Sequence, residues 1–248
     1  MIPDELTPPL ELPVDDALEL LVRGDLSIEG RVVDASNATL YCAVCADGVA
    51  AACVYKPVMG ERPLWDFPDG TLAEREVAAF SVSAASGWDI VPPTVYREGP
   101  AGPGMVQLWI AEDDAVDLRT FTRRRDLAAL RHIAAFDAVI NNADRKGRHL
   151  LPTSDGHLYG VDHGVSFHVD DKLRTVLWQF AGRVLGDDVR DVLSALRGDL
   201  DARLGEVLAG LLTGREVRRT RARVDRLLAA NRYPEPGDEW PAVPWPPM

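Results

Sequence analysis

Between residues 26 and 57, apolar positions alternate with small or polar ones in short runs, the period of strands covered on one face. Three runs carry it: Leu26–Gly30, Thr39–Cys45 and Ala50–Tyr55. Asp47-Gly48, between the last two, is a tight hairpin-turn dipeptide. Residues 58–70 hold Gly, Pro and Asp and predict a loop. From Leu72 to Ser86 the period lengthens to that of a helix, with Ala73, Val77, Phe80 and Ala84 on one face and Gly87 placed to cap it. Ile90–Arg97 and Gly104–Ile110 predict two further strands, separated by the Gly/Pro turn at 99–104.

After Ala111 the pattern turns helical. Asp126–Asn142 aligns Leu127, Leu130, Ile133, Ala134 and Asp137 on one face. An irregular piece, 142–149, leads to short strands around Leu150-Leu151 and His157–Val161. Residues 179–232 predict helices, with Val192, Leu196, Leu200, Leu204, Leu208 and Leu211 marking buried faces. Residues 1–14 are Pro-rich and acidic and suggest a loose arm, while the Pro/Trp-rich 236–248 suits neither a regular helix nor a central strand. The expectation is an α+β, two-lobed fold: a β-rich N-lobe over 15–110, a mainly helical C-lobe over 111–235, and a cleft between them.

Composition narrows the function classes. The 248 residues are 46% hydrophobic, enough for a sizeable core. Lys+Arg 27 against Asp+Glu 39 gives a net charge of −12, which disfavours nucleic acid and anionic membranes as partners. No apolar run approaches the roughly 18 residues that span a bilayer, and the acidic start lacks the apolar core of a signal peptide; a soluble, cytoplasmic protein is expected. Cys42 and Cys45, three apart on a strand, point to opposite faces, so they and Cys53 suggest core positions rather than a metal or disulfide framework. Arg123–Arg125, with Arg215, Arg218, Arg219, Arg221, Arg223 and Arg226, suggest solvated helix faces.

Against this background a few polar residues stand out. Lys56, one of three lysines, ends the apolar strand Ala51–Tyr55, where a buried ammonium needs an anionic partner. Glu76 lies within the apolar face of the following helix and can supply it. The densest polar cluster is Asn141–His149, in which Asp144 is a candidate general base and Asp137, on the preceding helix, a brace. Asp162, at the end of the strand Leu158–Val161 and before His163-Gly164, suits a metal ligand; the alternative is an ordinary Asp turn.

Taken in order, these residues resemble the atypical kinases of the phosphatidylinositol 3-/4-kinase class, most of all the type II phosphatidylinositol 4-kinases, and the bacterial persistence-toxin kinases of related fold. The resemblance runs over roughly residues 28 to 182. Val54-Tyr55-Lys56-Pro57 resembles the strand with the ATP-binding Lys, Arg75–Phe80 the helix with its Glu partner, and Ile90–Thr94 the strand after it. Val106–Ile110 resembles the hinge that holds adenine, which implies ATP contacts at Gln107, Leu108, Trp109 and Ile110. Asp144-Arg145 resembles the start of the catalytic loop, and Asp162-His163-Gly164 the metal-binding Asp-Phe-Gly. The implied catalytic set is Asp144, Lys56 and Asp162.

The chain departs from the family twice. His149 stands where the catalytic loop has a metal-binding Asn, so the implied metal ligands are His149 and Asp162, with Mg²⁺ or Mn²⁺ as the ion. No glycine-rich loop precedes Lys56; Ser36-Asn37 occupies the expected turn and offers backbone N–H and hydroxyl groups to phosphate. The resemblance implies an ATP- and metal-dependent phosphotransferase, with a protein or soluble small-molecule hydroxyl as acceptor. Rival readings are a nucleotide-binding pseudokinase, an AMP transferase, a lipid kinase and a structural scaffold.

Overall fold

The computed structural model describes residues 12–32 and 38–248. The chain forms two compact units, Met1–Val77 with Pro92–Ala111, and Ala78–Val91 with Glu112–Met248. The first is an antiparallel sheet with a helix, the second is mainly helical, so the fold class is α+β as the hydrophobic pattern predicts.

The first unit opens with α1 (Val14–Arg23), where a loose arm was expected to extend to residue 14. Acidic Asp15 and Asp16 sit in its first turn and Arg23 in its last, both favourable to the helix dipole. Its Ala17, Leu20 and Leu21 are buried. The sheet has the order β1-β2-β3-β5-β4, from β1 (Asp25–Arg31), β2 (Leu40–Ala46), β3 (Val49–Pro57), β4 (Thr94–Gly99) and β5 (Gly102–Leu108). Between β2 and β3, Asp47 and Gly48 both adopt positive φ (51° and 80°), the geometry of the tight turn this dipeptide predicts.

Leu20, Leu21, Val44, Cys53, Tyr55 and Val106 form this unit's core. Cys42 and Cys53 are buried opposite one another in register, while Cys45, on the other face of β2, is exposed. The strand expected from Ile90 begins only at Thr94, because Pro92-Pro93 cannot donate to a ladder. The strand expected to reach Ile110 ends at Leu108.

Helix α2 (Leu72–Ser86) runs across the division between the units. Its first N–H groups, at Leu72 and Ala73, donate to the Glu61 carboxylate at 3.1 and 2.9 Å. At its other end Gly87 takes φ 65°, a left-handed C-cap.

In the second unit, α3 (Leu118–Phe121) precedes the central α4 (Ala128–Ile140). Every residue from Ile133 to Ile140 is buried, so α4 is core on all sides rather than amphipathic. The short ribbon β6 (Leu150–Pro152) and β7 (Leu158–Gly160) follows, and Gly160 donates to the Ile90 carbonyl at 2.7 Å. The long helical stretch divides into α5 (Asp187–Asp199), α6 (Arg203–Ala209) and α7 (Gly214–Ala230). The last residues take no regular form, yet Ala242 accepts from Thr175 N–H and Trp178 Nε1, and Pro247 accepts from Gly147 N–H. Among the described residues no helix is long and apolar enough to cross a membrane.

Candidate functional site

The first unit contributes an ion pair. Strand β3 alternates faces, so Lys56 lies on the face opposite the core residues Cys53 and Tyr55 and there meets Glu76 on α2, Nζ to Oε1 2.7 Å. Glu76 is 2% exposed. An ion so buried persists only with a partner, which is the pairing the apolar surroundings of both residues anticipate.

The segment expected to act as hinge is partly committed to the sheet. Leu108 N–H donates to the Pro93 carbonyl at 2.9 Å, and Trp109 N–H to Ala52 at 3.0 Å. Gln107 is buried and donates through its side chain to Thr94 Oγ1 at 2.8 Å. Those amides and that side chain are therefore engaged by protein, and Ile110 lies beyond the end of β5. The fourth expected contact region, Ser36 and Asn37, lies outside the described residues.

The second unit assembles the polar cluster. Helix α4 ends where Asn141 turns left-handed (φ 54°). Asn141 Nδ2 then donates to the carbonyls of His168 and Asp170, tying the helix end to that segment. Asn142, fully buried, donates to Asp137 Oδ1 at 3.0 Å and accepts the Asp144 N–H at 2.9 Å, fixing the backbone that presents Asp144.

Arg145, also fully buried, is the hub. Its guanidinium grips Asp137 through Nε and Nη2 at 3.0 and 2.9 Å. Nη1 holds the carbonyls of His149 and Val161 at 3.2 and 3.0 Å. Nη2 also donates to His163 Nε2 at 2.6 Å; since a guanidinium only donates, that nitrogen is the acceptor and the ring proton sits on Nδ1. One side chain thereby spans α4, the loop bearing Asp144 and the segment bearing Asp162. The brace role expected of Asp137 is present; the roles of Arg145, Asn142 and His163 were not anticipated. Arg145 lies eight residues from Asp137, a spacing with no periodic signature.

The two aspartates have different surroundings. Asp144 is paired with Lys146 at 2.9 Å. Its carboxyl is pushed above the usual range, by burial first, with the charge of Asp162 adding to the rise and Lys146 opposing it. Asp162 is half-exposed and has φ 65°, a left-handed backbone uncommon outside Gly, Asn and Asp. Its Oδ2 lies 3.3 Å from His149 Nε2, while His149 Nδ1 faces the Lys146 N–H at 3.4 Å. Nδ1 is thus the accepting nitrogen, and Nε2 is the one turned to Asp162. Among the described residues, no three His, Cys, Asp or Glu side chains converge as a ready metal cage.

These features belong to a kinase-like fold. The solved structure of the Golgi casein kinase with Mn/ADP bound superposes with TM-score 0.60 at 15% identity, covering 88% of this chain and 75% of that one. A second structure of the Golgi casein kinase gives 0.59 at the same identity, over 88% and 74%. At such identity what is shared is the fold. The phosphatidylinositol 3-/4-kinase class gains no support from these likenesses. No family model matches the chain. Its sequence is 42% identical over 266 residues to Protein Rv2133c of Mycobacterium tuberculosis, spanning 94% of this chain and 95% of that protein, and the chain belongs to the family of that protein.

Proposed function

We propose that this protein is an ATP- and divalent-metal-dependent phosphotransferase acting on a hydroxyl of a protein or soluble small molecule. The observation that carries the reading is that the segments bearing Asp144 and Asp162 are locked together by one buried arginine, Arg145, in a chain of kinase-like fold. Asp144 would accept the proton of the acceptor hydroxyl as its oxygen bonds to the γ-phosphorus and ADP leaves; the upward-shifted carboxyl suits that role. Lys56, oriented by Glu76, would bind the α/β-phosphates as a point charge. Ile110, with Gln107, Leu108 and Trp109 behind it, would border the adenine, and Ser36-Asn37 the phosphates.

Asp162 Oδ2 and His149 Nε2 lie 3.3 Å apart, near the ~3 Å separation of adjacent ligands around a small divalent ion, and Nε2 would serve as a ligand once the ring proton moves to Nδ1 and the Lys146 N–H bond is given up. With phosphate oxygens and water completing its shell, such an ion would be Mg²⁺ or Mn²⁺ and would neutralise charge on the phosphates. The Mn/ADP in the Golgi casein kinase supports that choice by analogy of fold.

A nucleotide-binding pseudokinase is the second reading, favoured because His149, with Nδ1 accepting from Lys146, carries its ring proton on Nε2, where it faces Asp162. Incubation with ATP labelled at the α- or γ-phosphate separates the readings. Label transferred from the γ-position, and reduced about 10²-fold or more in Asp144→Asn, is expected. Transfer from the α-position would make the protein an AMP transferase, transfer to anionic vesicles a lipid kinase, and nucleotide binding without turnover a pseudokinase.

A further inference from the structure

The second unit folds its residues 240–248 back onto the loop that carries Asp144. That loop is paired with a neighbour: Arg145 N–H donates to the Arg174 carbonyl at 3.0 Å, and Val176 N–H to the Arg145 carbonyl at 3.1 Å, a parallel bridge. Residues 240–248 are bonded to both partners of the bridge. Thr175 N–H and Trp178 Nε1 donate to the Ala242 carbonyl at 3.1 and 2.7 Å, and Gly147 N–H donates to the Pro247 carbonyl at 2.9 Å. Lys172 Nζ sits 4.3 Å from the centroid of the Trp240 ring. Gly147 permits the close approach, because a methyl group there would collide with Met248 Sδ and Cε.

Gly147 follows Asp144 by three positions, a reach of at most about 11 Å. An acceptor whose hydroxyl meets Asp144 therefore passes the flank that Pro247 and Met248 occupy. From Pro234 to Met248 there is no Ser, Thr or Tyr, so the segment can lie beside Asp144 without being an acceptor itself. It is held lightly: Val243 is 43% and Trp245 85% exposed, and Pro244 is its buried residue. Pro241, Pro244, Pro246 and Pro247 fix φ, so little conformational freedom is lost when the segment docks.

Resting on the phosphotransferase reading, we propose that residues 240–248 are an autoinhibitory strap, which when docked fills the flank of the loop where an acceptor approaches Asp144 and when lifted opens it. The strap touches Gly147, Lys172, Thr175 and Trp178, none of them assigned to ATP or metal. It thus lowers the apparent affinity for acceptor by the fraction of molecules open, and leaves that for ATP alone.

Pro244→Asp in the full chain tests this, since an unpaired carboxylate does not stay buried where lifting the strap would hydrate it. Hydrogen exchange read by mass spectrometry should show the amides of residues 146–149 exchanging at least about tenfold faster than in the native chain, with the unfolding temperature unchanged. With γ-labelled ATP and a degenerate peptide library bearing a central Ser, Thr or Tyr, kcat/KM for peptide should rise at least about fivefold while KM for ATP stays constant. Trp178→Phe, which gives up one bond to Ala242, should move both readouts the same way by less. Unchanged exchange in Pro244→Asp would overturn the strap. Faster exchange with equal or lower transfer would make the segment a support for the loop and overturn its inhibitory role. Transfer absent from both chains, with the exchange difference present, would overturn the phosphotransferase reading and the inhibitory role with it.

Discussion

Glu76 depends on Lys56 because its carboxylate is buried where water cannot replace the ammonium, which is itself only 18% exposed. Replacing Lys56 by Met leaves Glu76 buried without its cation and should cost about 3–5 kcal/mol in urea unfolding. Lys56→Met/Glu76→Met should return most of that stability while nucleotide binding stays lost, which separates folding from function. Of the three cysteines, Cys42 and Cys53 are sealed in the sheet, and burial pushes their thiols up to about 11 and about 12. Iodoacetamide at neutral pH should therefore label Cys45 alone in the native protein and all three after denaturation, as mass spectrometry would read. The Lys–Glu pairing was legible in sequence because each charge interrupts an apolar face. Burial of Arg223 was not, since five other arginines surround it on one helix and its contacts with Asp171 and the His168 carbonyl come from a segment far away in sequence.

At the scale of elements, α4 and the loop after it act as one block through Asp137, Asn142 and Arg145. Arg145→Ala should destabilise by about 3–5 kcal/mol, because Asp137 would stay fully buried without its cation. Arg145→Lys should recover only part, since an ammonium lacks the planar fork that reaches Asp137, His149 and Val161 together. The boundaries of α2 were readable almost to the residue from its period and Gly87. By contrast α1 was hidden by the Pro-rich acidic stretch around it, and the Ile90 strand was overcalled because its apolar residues serve the helical unit's core instead.

Helix α7 is tied to the segment after Asp162 through Asp171. Burial raises the Asp171 carboxyl, but bonding to Arg226 and Arg223 outweighs it and the net shift is downward. A depressed carboxylate adds stability above its unfolded pKa, and that stability fades as pH falls through the folded value. Asp171→Asn should thus lower stability at pH 7 by about 1–2 kcal/mol, allowing for its partial exposure, and by less near pH 3.

For the whole molecule, the order of strands and helices after α1 was visible in the periodicities, because most elements bury a face of matching period. The candidate site was visible only as separate pieces. The clamp on Asp144 and Asp162 arises from long-range contacts of Arg145 that no local pattern encodes. The central claim is that this fold binds a nucleotide with a divalent ion through Asp162. Thermal unfolding with ATP and Mn²⁺ or Mg²⁺, in the native chain and in Asp162→Ala, tests it most directly. At ligand about 100 times its Kd the native protein should gain roughly 2.7 kcal/mol, seen as a metal-dependent rise in Tm that the variant lacks. An unchanged Tm with both ions, or an equal rise in Asp162→Ala, would contradict it.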